Sequence, residues 1–110
     1  MDDRIERIGL NEALFREVNE RVKGINEGFG DRVDEADFVC ECGNESCTQR
    51  IRMSLDAYER LRTDATHFAV RPGHEIVDVE RIIERADGYV VVAKHEGEPA
   101  RIAQDTDPRS

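Results

Sequence analysis

Phe38-Val39-Cys40-Glu41-Cys42-Gly43-Asn44-Glu45-Ser46-Cys47 is the stretch on which the reading of this chain turns. It holds all three cysteines of the 110-residue sequence, so they form one constellation. Cys40 and Cys42 flank a single residue and face the same side if the backbone is extended. Gly43-Asn44 tolerates positive φ and permits a tight reversal that brings Cys47 back. Amides in such a turn can donate hydrogen bonds to sulfur and favour the thiolate. The spacing is C-x-C-x4-C rather than paired C-x2-C knuckles. A fourth ligand of suitable chemistry comes from the Pro72-Gly73-His74-Glu75 turn. Cys40, Cys42, Cys47 and His74 together make a closed tetrahedral set for Zn2+. Glu75 is placed to orient the His74 imidazole. His67 is a rival fourth ligand, and His95 is the least suited of the three histidines.

Other readings of the same residues stand beside zinc. A Cys42–Cys47 disulfide is disfavoured in a reducing compartment. A metal-free thiol redox sensor is chemically feasible, although surrounding carboxylates raise thiol pKa values. An iron–sulfur cluster ordinarily takes four cysteines. A zinc hydrolase would need water in the fourth position, with Glu75 as base, and three anionic sulfurs make zinc a poor Lewis acid. The chain carries no Gly-rich phosphate loop, no His-Glu-x-x-His and no nucleophile elbow. The deaminase order of His-x-Glu before Cys-x-x-Cys is also missing.

Upstream, residues from about Arg4 to Gly28 read as one helix. Ile8, Phe15, Val22 and Phe29 recur every seven residues, with Val18 and Ile25 between them. Leu10, Ala13 and Leu14 widen the stripe, so this is the face expected to pack. About 24 residues at 1.5 Å each reach roughly 36 Å. The remaining ~80 residues have a radius of gyration near 12 Å, so the helix either crosses its own sheet or overhangs it toward a partner. Residues 30–37 read as an acidic linker.

Downstream, Arg50-Ile51-Arg52-Met53 alternates as a half-buried strand. A short helix follows, with Asp56 and Glu59 set for a capping box and Ser54 as a competing cap. His67-Phe68-Ala69-Val70 reads as a strand stopped by Pro72-Gly73. From Val77 to Ala86 the residues suit either a helix (Val79, Ile82, Ile83, Ala86) or a strand. The Asp87-Gly88 turn before Tyr89-Val90-Val91-Val92 tips the reading to a hairpin. The chain from Glu96 onward is polar and reads as a loose tail.

Hydrophobic residues make up 38% and charged residues 37% of the chain, with no Trp, which is lean for a self-sufficient core. A structural metal or a partner would relieve that shortage. The net charge is −9, and acid gathers around the cysteines in Glu27, Asp31, Asp34, Glu35, Asp37, Glu41 and Glu45 against Arg32. Such a field repels phosphate backbones, so nucleic acid is not an expected partner. No apolar run reaches membrane-spanning length, Met-Asp-Asp-Arg is wrong for a signal peptide, and an odd cysteine count argues against a secreted scaffold. A cytoplasmic setting without a membrane partner follows as the expectation.

Asn11 to Arg21, Phe38 to Cys47 and Pro72-Gly73-His74-Glu75 resemble a family of small uncharacterised actinobacterial proteins. The likeness runs on through Asp87-Gly88-Tyr89-Val90-Val91-Val92 to Thr106-Asp107-Pro108-Arg109. It implies a bacterial cytoplasmic setting and transfers no catalytic residue.

The expected fold is α+β: a long N-terminal helix (1–29), an acidic linker (30–37), a zinc-binding domain with a small mainly antiparallel sheet and one short helix (38–95), and a polar tail (96–110). The expected function is a non-catalytic, zinc-stabilised protein-interaction or regulatory module. Its N-terminal helix and acidic face would meet a protein partner or a second copy.

Overall fold

The computed structural model describes residues 3–28 and 34–109. In chain order they form α1 (Asp3–Glu27), β1 (Glu35–Val39), β2 (Arg50–Ser54), α2 (Leu55–Leu61), β3 (His67–Val70), β4 (Glu80–Ala86), β5 (Tyr89–Lys94) and α3 (Glu98–Asp105). The class is α+β, with two small antiparallel sheets where one was expected. The expected linker 30–37 is only partly one, because β1 begins at Glu35; residues 30–33, like Phe29, lie outside the described residues.

Alternation builds the first sheet. Ala36 and Phe38 of β1 point inward beside Ile51 and Met53 of β2, in a register that pairs Phe38 with Ile51 and Asp37 with Arg52. On the outer face Arg52 bonds both Glu35 and Asp37 at 3.3 Å, so two of the acids counted toward an open acidic face already have a cation.

In the second sheet the order is β3-β5-β4, and the β-branched run of β5 is buried at its centre. Gly88, with φ +86°, allows the two-residue turn that pairs Ala86 with Tyr89. A register shift between Ile82 and Glu84 leaves Ile83 turned outward. That extra residue breaks the two-residue period, which explains why Val79, Ile82, Ile83 and Ala86 imitate helical spacing. The sheets meet where the chain continues past β1, as Glu41 N–H donates to Ala69 O at 2.8 Å.

Two helical expectations are corrected. Ser54, not Asp56, caps α2: its Oγ accepts from Ala57 N–H at 3.0 Å. The segment expected as a loose tail carries α3, which has Pro99 in its first turn and buries Ala103. Ile102 of α3 sits so close to α1 that a Cβ at Gly9 would come within 2.6 Å of its Cγ2. Beyond α3, Arg109 reaches Glu20 at 2.9 Å and Glu59 at 2.7 Å.

The face that α1 turns inward takes in only one edge of the expected stripe. Ile8 and Ala13 are buried and Phe15 and Val22 half-buried, but Leu10, Leu14, Val18 and Ile25 are 36–65% exposed. The inward side chains are Glu12, Arg16 and Asn19, at most 1% exposed. The main core joins β1, β2, α2, β3, β5, Cys40, Cys42 and Ala103, and α1 adds only Val22 at its margin. The physical reason lies in what the rest of the protein presents. Lys94, Glu41 and several backbone groups face α1, and a buried polar group without a partner costs roughly 1–3 kcal/mol. Polar side chains on α1 meet them.

Candidate metal centre

Cys40, Cys42, Cys47 and His74 converge, with one ligand atom from each lying within 4.8 Å of all the others. Cys40 and Cys42 come from the extended chain just past β1, where Cys40 N–H donates to Gln49 O at 3.0 Å. Cys47 returns through a turn closed by its own N–H on Asn44 O at 3.0 Å, with Asn44 Oδ1 accepting from Ser46 N–H. His74 arrives from the turn after β3: its N–H donates to Arg71 O at 3.0 Å, and Gly73 takes φ +88°, a conformation glycine supplies at no steric cost.

Gly43 has a different reason from the one expected. It is not among the positive-φ glycines; instead a Cβ there would come within 2.6 Å of Ile8 Cγ2 and 3.0 Å of Ile76 Cδ1. The residue is small because α1 presses on the turn.

Distances fit a metal. His74 Nδ1 lies 3.6 Å from both Cys40 Sγ and Cys47 Sγ. A tetrahedral ion with sulfur at about 2.3 Å and nitrogen at about 2.0–2.1 Å sets the two donors about 3.6 Å apart. One ring nitrogen equally distant from two sulfurs is the arrangement that a shared ion would give. Ligation through Nδ1 places the imidazole proton on Nε2.

One sulfur has a backbone hydrogen bond that favours its thiolate, from the Arg71 N–H to Cys40 Sγ at 3.2 Å. Protonation among the three sulfurs is uneven. Cys42 is drawn down to about 5, first by its hydrogen bond with Cys40, while burial opposes the shift. Cys40 is pushed up by that same bond and by burial, and Cys47 by burial. The first thiolate thus forms at Cys42, and the next two would place like charges side by side. A bound dication relieves that repulsion.

The rival histidines are elsewhere. His67 Nε2 faces Asp64 at 3.3 Å, and His95 Nε2 is 3.0 Å from Val77 O. Glu75 does not orient the imidazole as expected: its Oε1 accepts from Gly73 N–H at 2.9 Å.

Glu41, counted among surface acids, is 0% exposed. Alternation that turns Cys40 and Cys42 one way turns Glu41 the other. Its Oε1 accepts from Ala69 N–H at 3.0 Å and Arg62 Nη2 at 3.3 Å. Its Oε2 accepts from Asn19 Nδ2 and Tyr58 Oη, each at 2.9 Å. Arg62 Nη2 also bonds His67 O, and Tyr58 stacks on Phe38 with centroids 4.4 Å apart. A second buried group has Lys94 Nζ between Glu12 at 2.6 Å and Glu80 at 2.9 Å. Arg16 donates to Ala65 O and Ala103 O at 2.6 and 2.7 Å, its guanidinium 4.7 Å above the Phe68 ring.

None of these charges was singled out from sequence. The one available signal was the Glu12-Arg16-Asn19 spacing, which puts three polar groups on one helical face. No family model, curated protein or solved structure matches the chain. No described helix is long and apolar enough to cross a membrane.

Proposed function

We propose that this protein is a small zinc-stabilised module without catalytic activity, serving protein interaction or regulation. The observation that carries the reading is His74 Nδ1 set 3.6 Å from two cysteine sulfurs within a four-donor cluster. Sulfur-rich donors with one imidazole favour zinc. Four protein donors leave no position for substrate or water, and Glu75, the carboxylate next to His74, is turned onto Gly73. Closure of two loops by one ion contributes folding energy that a lean core lacks.

The test is elemental analysis of purified protein. One zinc per chain, lost in Cys47→Ser together with thermal stability, is the expected result. A metal-free protein with unchanged melting would leave the thiol redox sensor as the better reading.

The outward stripe of α1, with Leu10, Leu14, Val18 and Ile25 exposed, supports contact with a partner protein or a second copy. A cytoplasmic setting goes with this reading, since a reducing compartment keeps three thiols unpaired. Leu14→Glu should lower any self-association seen by light scattering without unfolding the protein; an unaltered mass that was already monomeric would reject self-pairing.

A further inference from the structure

Directional polar bonds, beside a small apolar contact through Ile8, Ala13 and Val22, fasten α1 to the rest of the protein. Glu12 ends on Lys94, Arg16 on the carbonyls of Ala65 and Ala103, Asn19 on Val39 and Glu41, and Asn11 on Gly43. The hydrophobic cluster closes almost without the helix.

Half of this latch falls on the segment that carries the sulfurs. Asn19 Oδ1 accepts from Val39 N–H and its Nδ2 donates to Val39 O, both at 2.8 Å, as a strand neighbour would. Two turns away, Asn11 Nδ2 donates to Gly43 O at 3.0 Å, and Ile8 lies against Gly43. The match is metric. Eight helical residues rise about 12 Å, and four extended residues cover about 13 Å. Helix and strand therefore run antiparallel in step, residue 19 over residue 39 and residue 11 over residue 43. Such a match requires residues 39–43 to hold one extended course, and the ligands Cys40 and Cys42 lie within it.

We propose that metal occupancy of the Cys40/Cys42/Cys47/His74 centre controls the docking of α1: the loaded centre holds the helix down, and loss of the metal releases it from a body that stays folded. This rests on the metal-centre reading and gives that site a regulatory output. Departure of α1 strands no charge. Glu41 keeps Arg62, Tyr58 and the Ala69 N–H, and Lys94 keeps Glu80. Glu12, Arg16 and Asn19 pass into water, which solvates them well. A helix buried through a full leucine stripe would leave a larger apolar scar than Ile8, Ala13 and Val22 do.

Hydrogen exchange on the full chain, zinc-loaded and then stripped with chelator under reducing conditions, tests the proposal. The expected result is that exchange across α1 speeds up at least about ten-fold more than the rise in β3 and β5 that goes with the lost stability. An equal change in α1 and β5, or unchanged α1, overturns it. Coupling must also be reciprocal, so Asn19→Ala, which removes no ligand, should weaken zinc binding by about ten-fold. Exposed Glu17→Ala serves as the control. Equal zinc affinity in Asn19→Ala and wild type overturns the coupling while leaving the metal centre standing. Failure of the wild type to bind zinc at all sinks both readings.

Discussion

Single atoms decide which histidine serves the centre. His74 Nδ1 has two sulfurs at 3.6 Å, whereas His67 is occupied with Asp64. His74→Ala should therefore reduce zinc affinity far more than His67→Ala, measured by competition with a chromophoric chelator; the opposite order would reassign the ligand. Gly43 makes a second prediction at this scale. A methyl group there meets Ile8 Cγ2 at 2.6 Å, so Gly43→Ala should destabilise by about 1–3 kcal/mol, the usual cost of overpacking. In an Ile8→Ala background the added methyl should cost less. Chemical denaturation of the four-member cycle reads the coupling, and strict additivity would show that the two residues do not press on each other.

Individual elements were legible in the sequence where one local rule governed them. Period-two alternation marked β2, Pro72-Gly73 ended β3, and Asp87-Gly88 set the β4–β5 hairpin. Competing local rules were harder. Ser54 and Asp56 both suit an N-cap, and only the hydrogen bond from Ala57 shows that Ser54 is used. Ser54→Ala should accordingly cost about 1 kcal/mol in thermal or urea unfolding, with Asp56→Ala costing less; equal losses would contradict the assignment. The helix-like spacing that competed with the strand reading of β4 came from its bulge, and the misreading of α3 from a polar surface. Only Ala103 of that helix is buried, and its fit against Gly9 involves a residue far away in sequence.

At the scale of the whole molecule, buried charge links distant segments, and one pair predicts a pH dependence. Glu12 and Glu80 share Lys94 in the interior. Burial, together with neighbouring Glu80, holds the Glu12 carboxyl well above its ordinary value of 4.5 despite the opposing pull of Lys94. A raised folded-state pKa means the native protein keeps a proton that the unfolded chain has released. The resulting stability is complete below about 4.5 and is lost as pH rises toward the folded value. Glu12→Gln keeps the acceptor for Lys94 but cannot ionise. Its stability relative to wild type should increase from pH 4.5 upward, read as the difference in urea midpoints; a pH-independent difference would refute the raised Glu12 pKa. Lys94→Met, which removes the cation that Glu12 and Glu80 share in the interior, should cost on the order of 3–5 kcal/mol at neutral pH.

The sequence by itself determined the metal cluster's three sulfurs and most strand boundaries, because close spacing and a two-residue period are local facts that hold in any fold. Only the tertiary structure decided which face of α1 turns inward. Glu12 finds Lys94 across 82 residues and Arg16 finds Ala103 O across 87. A charged side chain is buried or solvated according to partners that exist only once the chain has folded, so hydrophobic periodicity located only one edge of the face that this helix turns inward.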